Sequence, residues 1–295
     1  MDFSFAELAY GYFRAQKGRV SLQAYLSGKL VVNGKEATSF VEFTLEPEIL
    51  GEARMGYDEV HHPEMFSPHL GIDESGKGDF FGPLVIAGVY TDRESVHTLL
   101  KLGVKDSKQI SSDQKALDLA EEIIKIVGPR ASVINIGPEK YNVLYDKFKN
   151  LNRLLAWGHA KVIENLLEVV PDCPMAISDQ FANPKILQSS LMERGKKIEL
   201  RQRTKAEADV AVAAASILAR AGFLNRLKQL GESVHQKLPK GASAQVKSVG
   251  EQIFHHQGLE TLRKVAKAHF RTFLEVQGIE PPERPDPRVF WRPRS

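Results

Sequence analysis

The spacing of apolar and polar positions changes near residue 70. Over the first fifteen residues apolar side chains recur at helical intervals, which predicts an opening helix with Phe5, Leu8, Ala9 and Tyr12 on one face. Short alternating runs broken by Ser27-Gly28 and Asn33-Gly34 follow, and they predict a small antiparallel meander. Its strands are expected in the segments VSLQAYL, KLVVNG and SFVEFTL.

The segment from about Glu46 to His69 contains prolines and glycines without periodicity, so we expect a linker and a domain boundary there. From Leu70 onward, strand-like segments alternate with helical stretches, which predicts an α/β layered domain. The predicted strands are GIDES, PLVIAGVYT, INIG and PMAISDQ, and the predicted helices include Ser111 to Val127, Leu151 to Val169 and Thr204 to about Leu230. The expected divisions are a small N-terminal domain at 1–60, a linker at 61–69, a main domain at 70–278 and a flexible Pro- and Arg-rich tail at 279–295.

Composition narrows the class of protein. A chain of 295 residues suggests two domains, and with 42% hydrophobic and 26% charged residues it is ordinary for a globular protein. No apolar run approaches the ~20 residues of a membrane helix, and the N-terminus lacks the pattern of a signal peptide. A single cysteine, Cys173, excludes an internal disulfide and a cysteine-based zinc site. We therefore expect a cytoplasmic protein with no membrane contact.

The net charge is only +3, so bulk electrostatics do not indicate a nucleic-acid partner. Basic residues are locally concentrated in two runs, which contain Lys196, Lys197, Arg201, Arg203 and Lys205 in the first and Arg263, Lys264, Lys267 and Arg271 in the second. Either run could bind polyanions, but a solvated face is the simpler interpretation of a charge run.

Two consecutive carboxylates, Asp73 and Glu74, lie at the end of a predicted strand, directly before a Ser-Gly-Lys-Gly turn. Successive strand side chains point to opposite faces, so both could reach one metal ion only where the backbone leaves the pleat. Such oxygen ligands suit Mg²⁺ or Mn²⁺ better than zinc. A plain solvated turn is the alternative, and a P-loop fails because Gly78 replaces the required Ser or Thr.

Two further acids follow along the chain. Asp179 ends a predicted buried strand, where open α/β sheets place their sites, although a helix-cap or turn aspartate is the alternative. The next candidate is Glu207 or Asp209. On a helix from Thr204, Glu207 shares the apolar face and points toward the sheet, but it equally completes a capping box with Thr204. The two roles of Glu207 stay open on geometry.

These acids in this order, within GIDESGKGDFFGPLVIAGV, VKDSKQIS, NLNRLLAWGHAKVIENLL, SDQFA and AVAAASILAR, resemble the bacterial ribonuclease HIII family of type 2 ribonucleases H. The resemblance spans most of Leu70 to Gly278. The N-terminal segment with LSGKLVVNGK is similar to the small TATA-binding-protein-like substrate-binding domain of that family.

The resemblance implies an α/β fold, with a ribonuclease H-like catalytic domain and a small α+β N-terminal domain. It implies that the chain cleaves the RNA strand of RNA/DNA hybrids as a monomer, using two Mg²⁺ or Mn²⁺ ions and leaving 3′-hydroxyl and 5′-phosphate ends. The ions are expected on Asp73, Glu74, Asp179 and Glu207, with Asp209 as the alternative to Glu207. The Gly76-Lys77-Gly78 turn takes the position of a loop that contacts the RNA strand.

Beside that site, Ser107 and Lys108 in the Asp106-Ser107-Lys108 run and Lys240 in the LPKG segment are candidates for substrate contact. Both lysines could equally be ordinary surface residues. Two rival functions remain: a ribonuclease HII-like incision at single ribonucleotides in DNA, and a non-catalytic hybrid-binding protein.

Overall fold

The computed structural model describes residues 3–51, 62–104, 110 and 112–283. The chain divides into two compact units, Met1–Phe66 and Ser67–Ser295. The division falls inside the predicted 61–69 linker, and the other predicted limits stay predictions. The predicted tail beyond residue 283 lies outside the described residues.

The N-terminal unit is a four-stranded antiparallel sheet in the order β1-β2-β3-β4, with a helix packed on one face. Its strands are β1 (Ser4–Ala6), β2 (Gly11–Lys17), β3 (Val20–Tyr25) and β4 (Leu30–Asn33). Helix α1 (Ala37–Phe40) continues as a π-helix, Val41–Leu50, which ends at Gly51 in the left-handed conformation. The buried side chains of Ala15, Val20 and Leu22 form the centre of the unit.

The predicted opening helix is wrong, because the first residues form the β1–β2 hairpin. Tyr10 in its turn has a φ of +61°, which a helix does not allow, and the rings of Phe5 and Phe13 meet across the strands at 5.6 Å. The predicted SFVEFTL strand is also wrong. That segment is helical because Phe40 packs edge-to-face on Phe3 at 5.6 Å and so covers the sheet.

The second unit is built on a mixed five-stranded sheet in the order β7-β6-β5-β8-β9. Its strands are β5 (His69–Ser75), β6 (Leu84–Thr91), β7 (Ala131–Ile136), β8 (Met175–Asp179) and β9 (Glu199–Arg203). β5, β6 and β7 are antiparallel, whereas β8 and β9 run parallel to β5. The first four strands confirm the predicted ones, and β9, in a run interpreted as a charged surface, was missed.

Helices surround this sheet. They are α2 (Arg93–Leu102), α3 (Asp113–Val127), α4 (Pro138–Phe148), α5 (Leu151–Val169), α6 (Pro184–Ser190), α7 (Val210–Ser233), α8 (Ala244–Val265) and α9 (Arg271–Glu275). Single 3₁₀ turns span Pro63–Phe66, Gly128–Arg130, Gly195–Lys197 and Ala206–Ala208. The α5 prediction is confirmed at both ends, since Asn150 caps its first turn by accepting from the Arg153 N–H at 3.2 Å.

Two glycines mark where the central helices press on opposite faces of the sheet. A Cβ at Gly71 would lie 2.2 Å from the Ala211 carbonyl carbon, so α7 packs directly on β5. A Cβ at Gly88 would lie 2.5 Å from Val162 of α5. The sheet is therefore a buried middle layer, and the predicted α/β ribonuclease H-like architecture is confirmed.

By length and hydropathy α7 alone, among helices of the described residues, passes as a membrane span. Its most apolar window is 67% buried inside the fold, and its alanines contact the sheet. The hydropathy of α7 is thus explained by its place in the core.

Candidate active site

The first two predicted acids lie in the last residues of β5. Asp73 pairs with Ala87 and Glu74 with Ile86, so the strand continues regularly through both. The backbone leaves the pleat only after both acids, at Gly76, whose φ is +89°, as expected from the Ser-Gly-Lys-Gly turn. The two side chains therefore interact with opposite layers. Asp73 accepts a hydrogen bond from Ser216 of α7, and Glu74 lies against α5.

Two side chains from different parts of the fold, His159 and Lys77, hold the Glu74 carboxylate. Its Oε2 atom lies 3.0 Å from Nε2 of His159, and its Oε1 atom accepts from the Lys77 ammonium at 2.7 Å. The Glu74 side chain is only 4% exposed. Burial opposes its charge, but the hydrogen bond from His159 and the Lys77 charge outweigh burial and lower the pKa of Glu74 to about 2.

The neighbouring Asp73 shows the opposite shift. Burial and the Glu74 charge together raise the pKa of Asp73 to about 6, against the hydrogen bonds from Ser216 and the Glu74 N–H. A carboxyl group so placed is crowded by negative charge. The strand end therefore has a local deficit of positive charge.

The third acid, Asp179, ends β8 beside β5. Ile72 pairs with Ser178 in the parallel register, so Asp73 and Asp179 each follow that pair at the same edge of the sheet. Asp179 is half-buried, and its Oδ1 atom accepts from the Ala206 N–H at 3.2 Å. The prediction that β8 brings a third carboxylate to a strand end is confirmed by this register.

Lys77 donates to Glu74, and the charges of all three acids act on its ammonium. Partial burial lowers its pKa, but the charges of Glu74, Asp73 and Asp179 outweigh burial and raise it. The Lys77 side chain is 50% exposed. The raised pKa of this half-exposed ammonium therefore reflects the negative potential that the three carboxylates create together.

The fourth acid requires a correction of the helix start. The helix predicted from Thr204 begins only at Val210, because Lys205 has a φ of +59° and Ala206–Ala208 form a 3₁₀ turn. No helix starts at Thr204, so the capping-box role, one of the two left open for Glu207, does not apply. Glu207 also precedes the helix, so the helical-face argument that favoured it does not apply.

Asp209, the alternative, is the N-cap of α7. Its Oδ1 atom accepts from the N–H groups of Ala211 at 2.9 Å and Val212 at 3.2 Å, and it lies 3.1 Å from Nε2 of His69. His69 begins β5, four residues before Asp73. Burial lowers the pKa of His69. The hydrogen bond to Asp209 and the Asp209 charge outweigh burial, so the pKa of His69 is raised overall. Asp209 is therefore committed to the first turn of α7 and to the start of β5, whereas half-buried Glu207 directly follows the residue bound by Asp179.

The turn after β5 contains the predicted Gly76, Lys77 and Gly78. A Cβ at Gly76 would lie 2.2 Å from the Pro83 carbonyl oxygen, so the fold requires glycine there. A Cβ at Gly78 would meet no atom within 4 Å in the part of the chain that the structure describes. Packing therefore explains the first glycine and not the second.

Lys240, a predicted substrate contact, is 51% exposed and donates to Asp113 Oδ2 at 2.6 Å. Arg220 binds the other oxygen of Asp113 at 2.8 Å. Lys240 is therefore part of a surface ion-pair group in this structure. Ser107 and Lys108, the other predicted contacts, lie outside the described residues.

Sequence reasoning missed His159. It lies on the apolar face of α5 and is fully buried, with Nδ1 at 3.1 Å from Ser178 Oγ and Nε2 against Glu74. Ser178 Oγ in turn donates to the Asp179 carbonyl oxygen at 3.1 Å. The available signal was one titratable residue at an apolar position of α5. The network links the ends of the two strands that contribute the acids.

Within the described residues, no three His, Cys, Asp or Glu side chains are close enough to share one metal ion in the present rotamers. The acids are instead engaged by Lys77, His159 and backbone N–H groups. The donor set is nevertheless carboxylate oxygen from adjacent strand ends, which suits hard divalent cations.

A mixed sheet with two antiparallel strand pairs, flanked by buried helices and with acids at neighbouring strand ends, defines a ribonuclease H-like nuclease. The sequence model of the family described as Ribonuclease HII matches residues 70–273. A ribonuclease HIII of Protochlamydia amoebophila is 45% identical over 94% of this chain and 90% of its own length. A ribonuclease HIII of Chlamydia caviae is 46% identical over 93% and 90%.

Solved structures agree. The crystal structure of Bst-RNase HIII in complex with Mn²⁺ superposes with a TM-score of 0.68 at 28% identity, covering 94% of this chain and 92% of that one. Aquifex aeolicus RNase H3 gives a TM-score of 0.54 at 28% identity, covering 90% of each chain. The chain belongs to the ribonuclease HII family, in its ribonuclease HIII group. It is an enzyme of the ribonuclease H class. Its expected monomeric state and cytoplasmic location stay predictions.

Proposed function

We propose that this enzyme hydrolyses the RNA strand of RNA/DNA hybrids internally, with two divalent ions held by Asp73, Glu74, Asp179 and Glu207. The products are 3′-hydroxyl and 5′-phosphate ends. The observation that carries this proposal is the position of Asp73, Glu74 and Asp179 at two adjacent strand ends, where the charges of all three act on the Lys77 ammonium. The Mn²⁺ complex of Bst-RNase HIII supports the choice of ion.

The residues present fit divalent ions on electrostatic grounds. Burial of Asp73, together with the charge of neighbouring Glu74, raises the pKa of Asp73 to about 6. A dication relieves such repulsion, because it favours both carboxylates in their charged form. Mg²⁺ and Mn²⁺ prefer these oxygen donors. When bound, the ions activate the attacking water and offset negative charge on the phosphate and the leaving oxygen.

The protein's own groups prepare the acids for that task. His159 and Lys77 keep Glu74 ionised although its side chain is buried. The Ala206 N–H fixes one oxygen of Asp179, and the Glu74 N–H lies 2.8 Å from Asp73 Oδ1. Because each carboxylate is oriented before substrate arrives, less reorganisation is needed during the reaction.

We propose Glu207 rather than Asp209 as the fourth acid. Asp209 is already used by two helix N–H groups and His69, and removing it from them would break a helix cap. Glu207 belongs to the 3₁₀ turn whose Ala206 N–H binds Asp179. That turn supports a place for Glu207 beside the other acids.

We propose that the RNA strand contacts the Gly76-Lys77-Gly78 turn. The support is Gly78, where no atom of the described residues occupies the space that a side chain would fill, so a substrate backbone can approach closely. Exposed Lys77 adds a cation for a phosphate at the same place. Lys240 and Lys108 remain proposed phosphate contacts, and Ser107 a proposed substrate contact.

We propose the N-terminal unit as the substrate-binding domain. Alternation along β2 places Phe13 and Ala15 in its core, so Arg14 and Gln16 project from the other face. Gln23 of β3 pairs directly with Arg14 across the strands. A sheet face with a cation and amide side chains suits hydrogen bonding to a nucleic-acid backbone.

The deciding experiment uses a labelled uniform RNA/DNA hybrid beside a DNA duplex with one ribonucleotide, in Mg²⁺ and then in Mn²⁺. Asp73→Asn tests the site, and Asp172→Asn is the matched control, because Asp172 is an exposed acid before β8. Internal cuts in the hybrid, lost only in Asp73→Asn, are the expected result.

Cutting at the lone ribonucleotide would instead indicate ribonuclease HII-like incision. Binding without cleavage would indicate a hybrid-binding protein. Wild-type rates for Asp73→Asn would overturn the proposed site. End-labelling of the products tests the 3′-hydroxyl and 5′-phosphate prediction separately.

A further inference from the structure

Lys267, between α8 and α9, is fully buried although it belongs to a basic run that predicted a solvated face. Its ammonium donates to the Asp79 carbonyl oxygen at 2.7 Å, and its backbone N–H donates to the Phe80 carbonyl oxygen at 2.9 Å. Nζ also lies 5.6 Å from the centroid of the Tyr141 ring. Burying an amine costs free energy, so its position calls for a cause beyond packing.

The residue it contacts closes the turn that follows β5. The Asp79 N–H lies 3.4 Å from the Gly76 carbonyl oxygen, so Asp79 completes a turn that contains Lys77 and Gly78. On its other side, Asp79 Oδ1 accepts from the Gly241 N–H at 2.6 Å. A second hydrogen bond joins the same two segments, because the Phe80 N–H donates to the Gly241 carbonyl oxygen at 2.9 Å.

These contacts fasten the turn to two distant segments of the chain. Lys267 holds the main-chain carbonyl of Asp79, and Gly241 holds its side chain. Gly241 directly follows Lys240, so a segment with one proposed phosphate contact is joined to the turn with another. Gly82, at the end of the same loop, donates to the Val265 carbonyl oxygen at 3.0 Å.

We propose that Lys267 is a positioning residue, which holds the Gly76–Asp79 turn in the shape that receives the RNA strand. The inference rests on the proposed function, since it concerns the turn proposed to contact substrate. Lys267 acts through the Asp79 carbonyl group and does not itself touch substrate. The Asp79–Gly241 pair acts on the same turn from the opposite side.

The chemistry of the site favours positioning over packing. A methionine has nearly the same length and would fill the space without the cost of burying an amine. What methionine lacks is an N–H donor for the Asp79 carbonyl oxygen. Burial lowers the pKa of Lys267 to about 7 against the opposing charge of Asp79, and the amine donates to that carbonyl in either protonation state.

The test compares Lys267→Met with Lys264→Met, in which the same change falls on an exposed lysine three residues earlier. KM and kcat are measured on the uniform hybrid, at a temperature where both variants are folded. We expect Lys267→Met to raise KM about tenfold with a smaller change in kcat, because the turn loses one hydrogen bond that holds it in its binding shape. Lys264→Met should match the wild type.

A second pair keeps the test decisive if Lys267→Met folds poorly. Asp79→Ala removes the acceptor for the Gly241 N–H, whereas Asp79→Asn keeps an oxygen there. We expect Asp79→Ala to raise KM like Lys267→Met, Asp79→Asn to stay near the wild type, and the double variant Lys267→Met/Asp79→Ala to exceed either single variant only slightly.

Amide hydrogen exchange of the 76–82 segment gives a readout that does not need cleavage. Exchange there should quicken in Lys267→Met and not in Lys264→Met. An unchanged KM together with unchanged exchange would overturn the positioning role, as would a lowered Tm with an unchanged KM, which indicates a merely structural lysine. If the wild type fails to cleave the hybrid, the proposed function fails. The exchange result still decides whether Lys267 holds the Gly76–Asp79 turn.

Discussion

Alanine substitutions at Gly76 and Gly78, in the turn after β5, should have different effects: the first on stability and the second on substrate binding. Gly76 has a φ of +89°, and a Cβ there would lie 2.2 Å from the Pro83 carbonyl oxygen. The left-handed conformation costs an alanine roughly 1–2 kcal/mol, and overpacking adds about 1–3 kcal/mol. Gly76→Ala should therefore lower the free energy of unfolding by about 2–5 kcal/mol.

Gly78 differs on both counts. Its φ is not in the left-handed region, and a Cβ would contact nothing within 4 Å among the described residues. Gly78→Ala should leave the fold intact or stabilise it by roughly 0.4–1 kcal/mol, because alanine restricts the unfolded chain. The same methyl group would occupy the space proposed for the RNA strand, so KM for the hybrid should rise by about tenfold, equivalent to roughly 1.4 kcal/mol of binding.

The assay is urea unfolding of the wild type and both variants, followed by KM and kcat on the uniform hybrid. Lys101→Ala, at the exposed end of α2, controls for handling of substituted protein. Equal destabilisation by the two glycine substitutions would refute the argument that packing and backbone conformation require glycine at position 76 but not at 78. Wild-type KM in Gly78→Ala would refute its contact with substrate, whatever the stability result.

Three further predictions concern groups that the tertiary structure brings together. Glu207→Gln should lower kcat strongly with little change in Tm, whereas Asp209→Ala should lose about 1 kcal/mol of stability through its helix cap while folded molecules keep their activity; the reverse pattern would move the fourth acid to Asp209. His159→Ala should raise the Mg²⁺ concentration needed for half-maximal rate by about 10–100-fold, since Glu74 loses its orienting partner, and an unaltered Mg²⁺ titration would contradict this. The pKa of Lys267 is about 7 when folded and 10.5 ordinarily, so between those values the unfolded chain binds more protons and stability rises with pH. Relative to Lys267→Met, the wild type should gain up to roughly 1.4 kcal/mol per pH unit from pH 7 to 9, measured by urea unfolding, and a constant difference would show that the shift is absent.

Local sequence signals located the elements that depend on few partners. α5 begins at Leu151 and ends at Val169 as predicted, because apolar periodicity and an Asn150 cap lie within the segment itself. β5 and β8 were found for a similar reason, since short buried strands are apolar throughout. With the strand ends came three of the acids, Asp73, Glu74 and Asp179.

Other features depended on contacts between distant residues. The opening segment has helical spacing but becomes a hairpin, because Phe5 can pack on Phe13 only in a sheet. The helix at Thr204 was placed too early because Lys205 adopts a left-handed conformation and Asp209 finds His69 across the fold. A capping pattern within the sequence cannot represent a partner 140 residues away.

The sequence by itself determined which acids are available, where most strands of the second unit lie and to which family the chain is similar. Only the tertiary structure decided that Asp209 caps a helix, that His159 holds Glu74, and that Lys267 is buried beneath a turn rather than solvated. The physical reason is that periodicity records which face of an element is apolar. It does not record which polar group on another element contacts a residue on that face, and the chemistry of the site depends on those contacts.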